Sequence, residues 1–180
     1  EIGTVKKQDI LENQVNFVYL ALGSNLGDKK NNLNKSIDLI QKEGIFIKKR
    51  SKFYSTKSWP NENFPNFINS ILLVETKLNI AELFLKIKKI EKKLGRTKSK
   101  RNHPRICDID IIDFNGEIIH RKLGNHKLNT PHKRMHNRNF VLFPLYELDK
   151  DWVHPKLNKN IVILMSNLTS DQLLGIKIAQ

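Results

Sequence analysis

The chain has 180 residues, 39% of them hydrophobic and 28% charged, which suits one domain with a single core and is short for two. Its mean hydropathy is −0.47, and no apolar run approaches the roughly 18 to 20 residues a membrane-spanning helix needs, which argues against a membrane partner. The net charge of +14 favours polyanions, whether nucleic acid, an anionic membrane or a nucleotide's phosphates, although the wealth of Lys, Asn and Ile also fits compositional drift.

Residues 1–15 read as a poorly ordered N-terminal extension, and residues 16–180 as a single domain. The first 14 residues lack the charged, apolar, then small-residue order of a secretory signal. The single cysteine, Cys107, lies between Ile106 and Asp108 and reads as a small buried hydrophobe, in keeping with a reducing cytoplasm.

In chain order, Phe17 to Leu22 is an aromatic-rich apolar run that suits a buried strand. After the turn GSNLGD, Asp28 can cap a helix whose Leu33, Ile37 and Ile40 recur at helical spacing until Gly44. Ile45, Ile47 and Phe53 mark a second strand. TKSWPNENFP, from Thr56 to Pro65, reads as a loop that carries an exposed Trp59, either a ligand lid or a plain surface loop. Phe67 to Thr76 is a strand by composition. Leu83, Phe84, Ile87, Ile90 and Leu94 recur at three- and four-residue steps, predicting a helix over 80–94 that Gly95 stops. Ile106 to Phe114 is another strand, and Asn115-Gly116 before Glu117-Ile118-Ile119 predicts a hairpin. A polar loop and a helix over 138–148, interrupted near Pro144, follow. The remaining tail is ambiguous. This order predicts an α+β sandwich of helices on a largely antiparallel sheet.

The most informative unit is Asp108-Ile109-Asp110, because a strand turns alternate side chains to one face and so puts both carboxylates together. Two adjacent anions on an apolar strand cost several kcal/mol unless a cation neutralises them. Hard oxygen ligands of this kind suit Mg²⁺, which takes one or two carboxylates and completes its shell with water and phosphates. The plainer reading is a strand with one exposed acidic edge. Asp113, three residues beyond Asp110, is expected on the opposite face and outside a metal site.

Upstream, Arg96, Lys98, Lys100, Arg101 and Arg105 crowd a Pro-containing segment between a helix and the acidic strand. Beside a carboxylate pair these cations suit a triphosphate, metal on one flank and guanidinium forks on the other, although a solvated basic loop is the simpler alternative. No GxxxxGK[ST] loop occurs, which excludes a P-loop cradle. His132 and Arg138 form a second, weaker group of phosphate donors. Phe67 and Asn69 share a strand face, so a ring and an amide can meet one flat heterocycle, unless they are core packing alone.

These motifs resemble the 6-hydroxymethyl-7,8-dihydropterin pyrophosphokinase family. The likeness runs from Phe17 to Pro155 through LGSNLGD at Leu22 to Asp28, FYST at Phe53 to Thr56, FPNFIN at Phe64 to Asn69, PRICDIDI at Pro104 to Ile111, TPH at Thr130 to His132 and NRNFVLFPL at Asn137 to Leu145. The resemblance implies a ferredoxin-like α+β fold and transfer of the β,γ-pyrophosphoryl unit of ATP to the pterin alcohol, releasing AMP, in folate biosynthesis. It implies that Asp108 and Asp110 hold two Mg²⁺ ions, with Arg96 and Arg105 completing the catalytic set and Lys98 on the phosphate tail. It further implies nucleotide contacts at Glu91, Ile111, His132 and Arg138. The pterin contacts it implies are Thr56, Trp59, Phe67, Asn69, Asp108 and Phe140, with the two phenylalanine rings sandwiching the heterocycle. Partners are then ATP and the pterin, with no nucleic acid, in a chain that relatives carry fused to another folate-pathway enzyme.

The chain departs from the family pattern at Lys98, where Arg is frequent, at His103, where Gly precedes the Pro-Arg pair, and at Lys133, where an aromatic is common. The segment 121–129 is somewhat longer than usual. No general base for the pterin hydroxyl stands out, which fits chemistry driven by alignment and metal charge. The competing reading is a basic nucleic-acid-binding module built on Arg96 to Arg105, which gives no reason for the paired Asp108 and Asp110.

Overall fold

The computed structural model describes residues 14–59, 61–96 and 103–180. Most of the expected N-terminal extension, and Lys98, Lys100 and Arg101, lie outside the described residues. Strand β1 (Asn16–Ser24) leads into α1 (Lys29–Lys42), β2 (Phe46–Arg50), β3 (Tyr54–Thr56), β4 (Phe67–Thr76), α2 (Ile80–Lys93) and β5 (Asp108–Phe114). β1 pairs antiparallel with β4 on one side and β5 on the other, while β2 and β3 share the far edge of β4. Counting β2 and β3 as one interrupted strand, the sheet order is the fourth, first, third and second strands of a ferredoxin-like α+β sandwich, as the sequence predicts.

The two helices form where the sequence places their caps. The Asp28 side chain accepts from the Asn31 N–H at 3.2 Å, and Asn79 and Glu82 make a reciprocal capping box at the start of α2. Leu33, Ile37 and Ile40 of α1 and Leu83, Phe84, Ile87 and Ile90 of α2 cover one sheet face, against Val18, Leu20, Leu22, Leu72, Val74, Ile109 and Ile111. Each such side chain, taken fully out of water, contributes roughly 1.5–3 kcal/mol.

The second expected strand is split. The Ser51 hydroxyl accepts from the Ile71 N–H at 2.9 Å in place of a backbone carbonyl, and the Ser51 N–H donates to the Ile71 carbonyl at 3.0 Å, so the chain stays on β4 while the ladder breaks. Asn115 (φ 54°) and Gly116 (φ 68°) do form a tight turn, but the next strand, β6 (Ile119–Leu123), leaves β5 and pairs with β7 (His126–Thr130). This two-stranded ribbon occupies the segment expected to be a polar loop. Helix α3 (Asn139–Leu148) runs through Pro144 without interruption, because Val141, Leu142, Pro144 and Leu145 are all buried against the second sheet face. The ambiguous tail is a short ribbon, β8 (Val153–His154) with β9 (Lys159–Asn160), then α4 (Ile161–Ser166), α5 (Ser170–Leu174) and β10 (Ile176–Ile178), which pairs with β3. Among the described residues no helix is long and apolar enough to cross a membrane.

Leu20 is fully buried at the centre of β1. Leu20→Ala is expected to lower the unfolding free energy by about 2–5 kcal/mol in denaturant titration, with the spectrum of the folded state retained.

Candidate functional site

One row of the sheet links the acidic strand to Asn69 and Tyr54. Asp108 on β5 faces Gly23 on β1, Gly23 faces Asn69 on β4, and Asn69 faces Tyr54 on β3. Cross-strand partners share a face, so Asp110, opposite Ala21, lies beside Asp108 on the face away from α1 and α2. Phe67 and Thr56 face each other on the same side, and the Asn69 amide donates to the Thr56 hydroxyl at 3.0 Å. Asn69 and Thr56 are buried.

Asp113 does not fall on the opposite face. A bulge skips Ile112, so that Leu20 pairs with Ile111 and Tyr19 with Asp113, returning Asp113 to the face of Asp110. What keeps it from the acidic pair is its own set of donors. Its carboxylate accepts from Trp152 Nε1 and from the Gly116 N–H, each at 2.8 Å.

Arginines surround Asp108. Arg96 Nη1 donates to Asp108 Oδ1 at 2.6 Å and also to Glu91 Oε1, while Arg105 Nη1 donates to Asp108 Oδ2 at 2.8 Å. Burial disfavours the Asp108 charge, but Arg96 and Arg105 outweigh it and hold the carboxyl below its ordinary range. Glu91, buried on α2, also accepts from the Ile109 N–H at 2.8 Å and from Lys88 Nζ at 2.8 Å, so protein donors occupy both its oxygens. Asp110 differs. Among the described residues its nearest cationic groups are His132 Nε2 and Arg138 Nη1, each 3.9 Å from Oδ2, beyond hydrogen-bond reach. Burial, with Arg138 and Arg134 nearby, keeps the His132 imidazole below its usual value despite Asp110.

Along the free edge of β5 a cleft of about 160 Å³ lies between α2 and β7, lined by Phe84, Lys88, Asp110, Ile111, Leu128 and His132 among others. The backbone N–H of His132 donates to the Ile112 carbonyl at 2.8 Å, which ties this segment of the chain to β5 at the cleft. Arg138 links this cleft to the heterocycle side, with its guanidinium 5.3 Å from the centre of the Phe140 ring. Trp59 is 72% exposed on the loop between β3 and β4 and stands apart from the cluster.

Residues 19–150 match the family described as 7,8-dihydro-6-hydroxymethylpterin-pyrophosphokinase (HPPK). A 2-amino-4-hydroxy-6-hydroxymethyldihydropteridine pyrophosphokinase of Aquifex aeolicus is 41% identical over 142 residues, covering 79% of this chain and 86% of its own. The chain belongs to the HPPK family. A folate synthesis bifunctional protein of Pisum sativum is 38% identical over 77% of this chain, which spans only 26% of that longer protein. A crystal structure of a doubly substituted Plasmodium falciparum HPPK-DHPS with pterin and p-hydroxybenzoate superposes with a TM-score of 0.74, covering 95% of this chain and 49% of that one. At 17% identity that match bears on the fold alone.

In this HPPK-family chain the structure brings together Arg96, Arg105, Asp108, Asp110, Glu91, His132 and Arg138, and on the neighbouring strands Thr56, Phe67 and Asn69. Reading the sequence missed Gly23, Lys88 and Lys127. A Cβ at Gly23 would lie 3.1 Å from Asn69 Oδ1 and 3.5 Å from Phe67 Cδ1, so glycine keeps the floor between acid pair and amide clear. Its place opposite Asp108 was readable only once strand register was known. Lys88 and Lys127 reach the β5 cleft from α2 and from the unforeseen ribbon.

Because the folded-state carboxyl of Asp108 sits below its ordinary 3.8, it contributes stability above that pH, lost as pH falls through the lowered value. Arg96→Gln removes one cation and raises that value. The variant is therefore expected to have a lower urea midpoint than the native chain at pH 7 and to converge with it as pH falls through the lowered value. A midpoint gap that stays constant with pH would contradict the coupling.

Proposed function

We propose that this chain transfers the β,γ-pyrophosphoryl group of ATP to the hydroxyl of 6-hydroxymethyl-7,8-dihydropterin, giving AMP and the pterin diphosphate in folate biosynthesis. The observation that carries the reading is the placement of Asp108 and Asp110 on one sheet face, between the β5 cleft and the amide of Asn69. The names of the relatives support the same reaction.

The donor set fits magnesium. Two carboxylates on one strand face, one of them without a hydrogen-bonding partner among the described residues, are what Mg²⁺ uses alongside phosphate oxygens and water, and among the described residues no group of three acidic, imidazole or thiol ligands forms a protein-only cage. We assign Asp108 and Asp110 to two Mg²⁺ ions, which when bound neutralise the triphosphate and stabilise charge on the oxygens in transit.

The chain's own residues do the rest. Ile111 and Leu128 give the β5 cleft an apolar wall for a purine, and Lys88, His132 and Arg138 line its polar side. Arg96 and Arg105 are the cations of the site that a phosphate can claim. When a triphosphate arrives they can exchange Asp108 for phosphate oxygens, leaving the carboxylate to the metal; Lys98 belongs to the same phosphate-binding segment. Glu91, saturated by Lys88, Arg96 and the Ile109 N–H, acts on the nucleotide through those cations. Asn69, its amide oriented by Thr56, offers donor and acceptor to the pterin edge, while Phe67 and Phe140 supply the ring faces and the Trp59 loop the cover.

Transfer then requires the pterin hydroxyl aligned with the β-phosphorus. Its proton passes to solvent or to a phosphate oxygen, Asp110 being assigned to the metal, and alignment with charge compensation carries the rate. Arg96 and Arg105, at the ends of the basic segment that suggested a nucleic-acid surface, turn inward onto carboxylates, which supports a nucleotide-sized ligand. The buried lone Cys107, whose thiol burial pushes up to about 12, is consistent with a cytoplasmic setting.

The test is AMP release from MgATP. The native chain is expected to release AMP only with the pterin alcohol present, and Asp110→Ala to lose at least about 100-fold in kcat. Near-native turnover by that variant would remove the acidic pair from the chemistry.

A further inference from the structure

Asn25 lies just beyond β1, is 1% exposed, and plays no part in the site described above. Its backbone N–H donates to the Arg105 carbonyl at 3.1 Å, and its Oδ1 accepts from the Arg105 N–H at 2.8 Å. Its Nδ2 donates to Ser58 Oγ at 3.1 Å, and that hydroxyl donates in turn to the Pro65 carbonyl at 2.6 Å. One buried amide thus joins three segments: the turn after β1, the backbone of the arginine that holds Asp108, and the loop that bears Trp59.

The pairing with Arg105 is reciprocal, so it fixes both position and direction of that backbone three residues before Asp108. Arg105 has no strand or helix of its own to hold it, since β5 begins only at Asp108. The Ser58 arm closes the neck of the 57–66 loop, because Ser58 and Pro65 bracket it. A short polar residue with both a donor and an acceptor is needed to serve the two arms; Asp lacks the donor and Ser the reach.

We propose that Asn25 is a positioning residue for the transfer, holding the Arg105 backbone where its guanidinium can serve first Asp108 and then phosphate, and tying the Trp59 loop to the same point. This rests on the reaction proposed above. The Arg105 arm acts on the transition state, where a displaced guanidinium loses stabilisation; the Ser58 arm acts on pterin capture.

The test compares the native chain, Asn25→Ala, Arg105→Ala, their double variant and Ser58→Ala in pterin-dependent AMP release, with melting temperatures recorded. Asn25→Ala is expected to lower kcat about 30-fold, and the double variant to be no slower than Arg105→Ala, because the two substitutions remove one interaction. Ser58→Ala is expected to raise the pterin KM about fivefold or more while kcat stays within about threefold. Losses that add in the double variant, or a lower melting temperature with native kcat in Asn25→Ala, would overturn the Arg105 arm; an unchanged pterin KM in Ser58→Ala would overturn the loop arm. Should Asn25→Ala not fold, Asn25→Asp keeps the acceptor facing Arg105 and loses the donor facing Ser58, so it should match Ser58→Ala; a kcat loss as large as that of Arg105→Ala would refute the proposal. Amide exchange at Arg105 is read without turnover, and should rise about tenfold or more in Asn25→Ala but not in Ser58→Ala. If the native chain releases no AMP, the reaction is wrong, and this exchange pattern still decides whether Asn25 places Arg105.

Discussion

Two negative charges on one face of a central strand must be compensated, and the rest of the molecule is arranged around that requirement. Asp108 and Asp110 cannot sit beside apolar neighbours on β5 without cations close by. Arg96 and Arg105 meet Asp108 directly, whereas His132 and Arg138 approach Asp110 only to 3.9 Å. The pair is therefore unequal, one carboxylate locked by protein and one left open to a further ligand. Such partial compensation keeps the resting chain folded and, on the reading proposed above, leaves a place for metal-bound phosphate.

On the reading proposed above, the sheet makes this inequality useful by setting the two substrates on either side of it. Helices α1 and α2 bury one face and fix strand register, so the other face is free to carry chemistry. Along that face, Gly23 opens the path from Asp108 to Asn69, and the free edge of β5 supplies the cleft for a nucleotide. Arg138, 3.9 Å from Asp110 and over Phe140, spans the junction. Both ligands can meet across one strand width without a domain movement.

The sequence revealed what depends on local period. The Asp108–Asp110 pair follows from the two-residue repeat of a strand, and the stripe of Leu83, Ile87 and Ile90 follows from the helical repeat. Non-local effects were hidden. The Ile112 bulge reverses the face of Asp113, and nothing in ICDIDIIDF announces it. Ser51 splits a strand by lending its hydroxyl to Ile71, and the polar ribbon β6–β7 has too little apolar alternation to be told from a loop. Pro144 is tolerated because burial of its neighbours outweighs one missing hydrogen bond. Gly23 and Asn25 were visible as letters of a turn, but their partners lie on strands and loops far along the chain.

Anomalous diffraction from a crystal grown with Mn²⁺, a nonhydrolysable ATP analogue and the pterin alcohol addresses the unequal pair most directly, since Mn²⁺ accepts the same oxygen ligands as Mg²⁺. The expected result is a metal peak bound by Asp108 and Asp110, with Arg96 and Arg105 turned from Asp108 to phosphate oxygens. A bound nucleotide with no metal near Asp110, and both arginines still on Asp108, would contradict it.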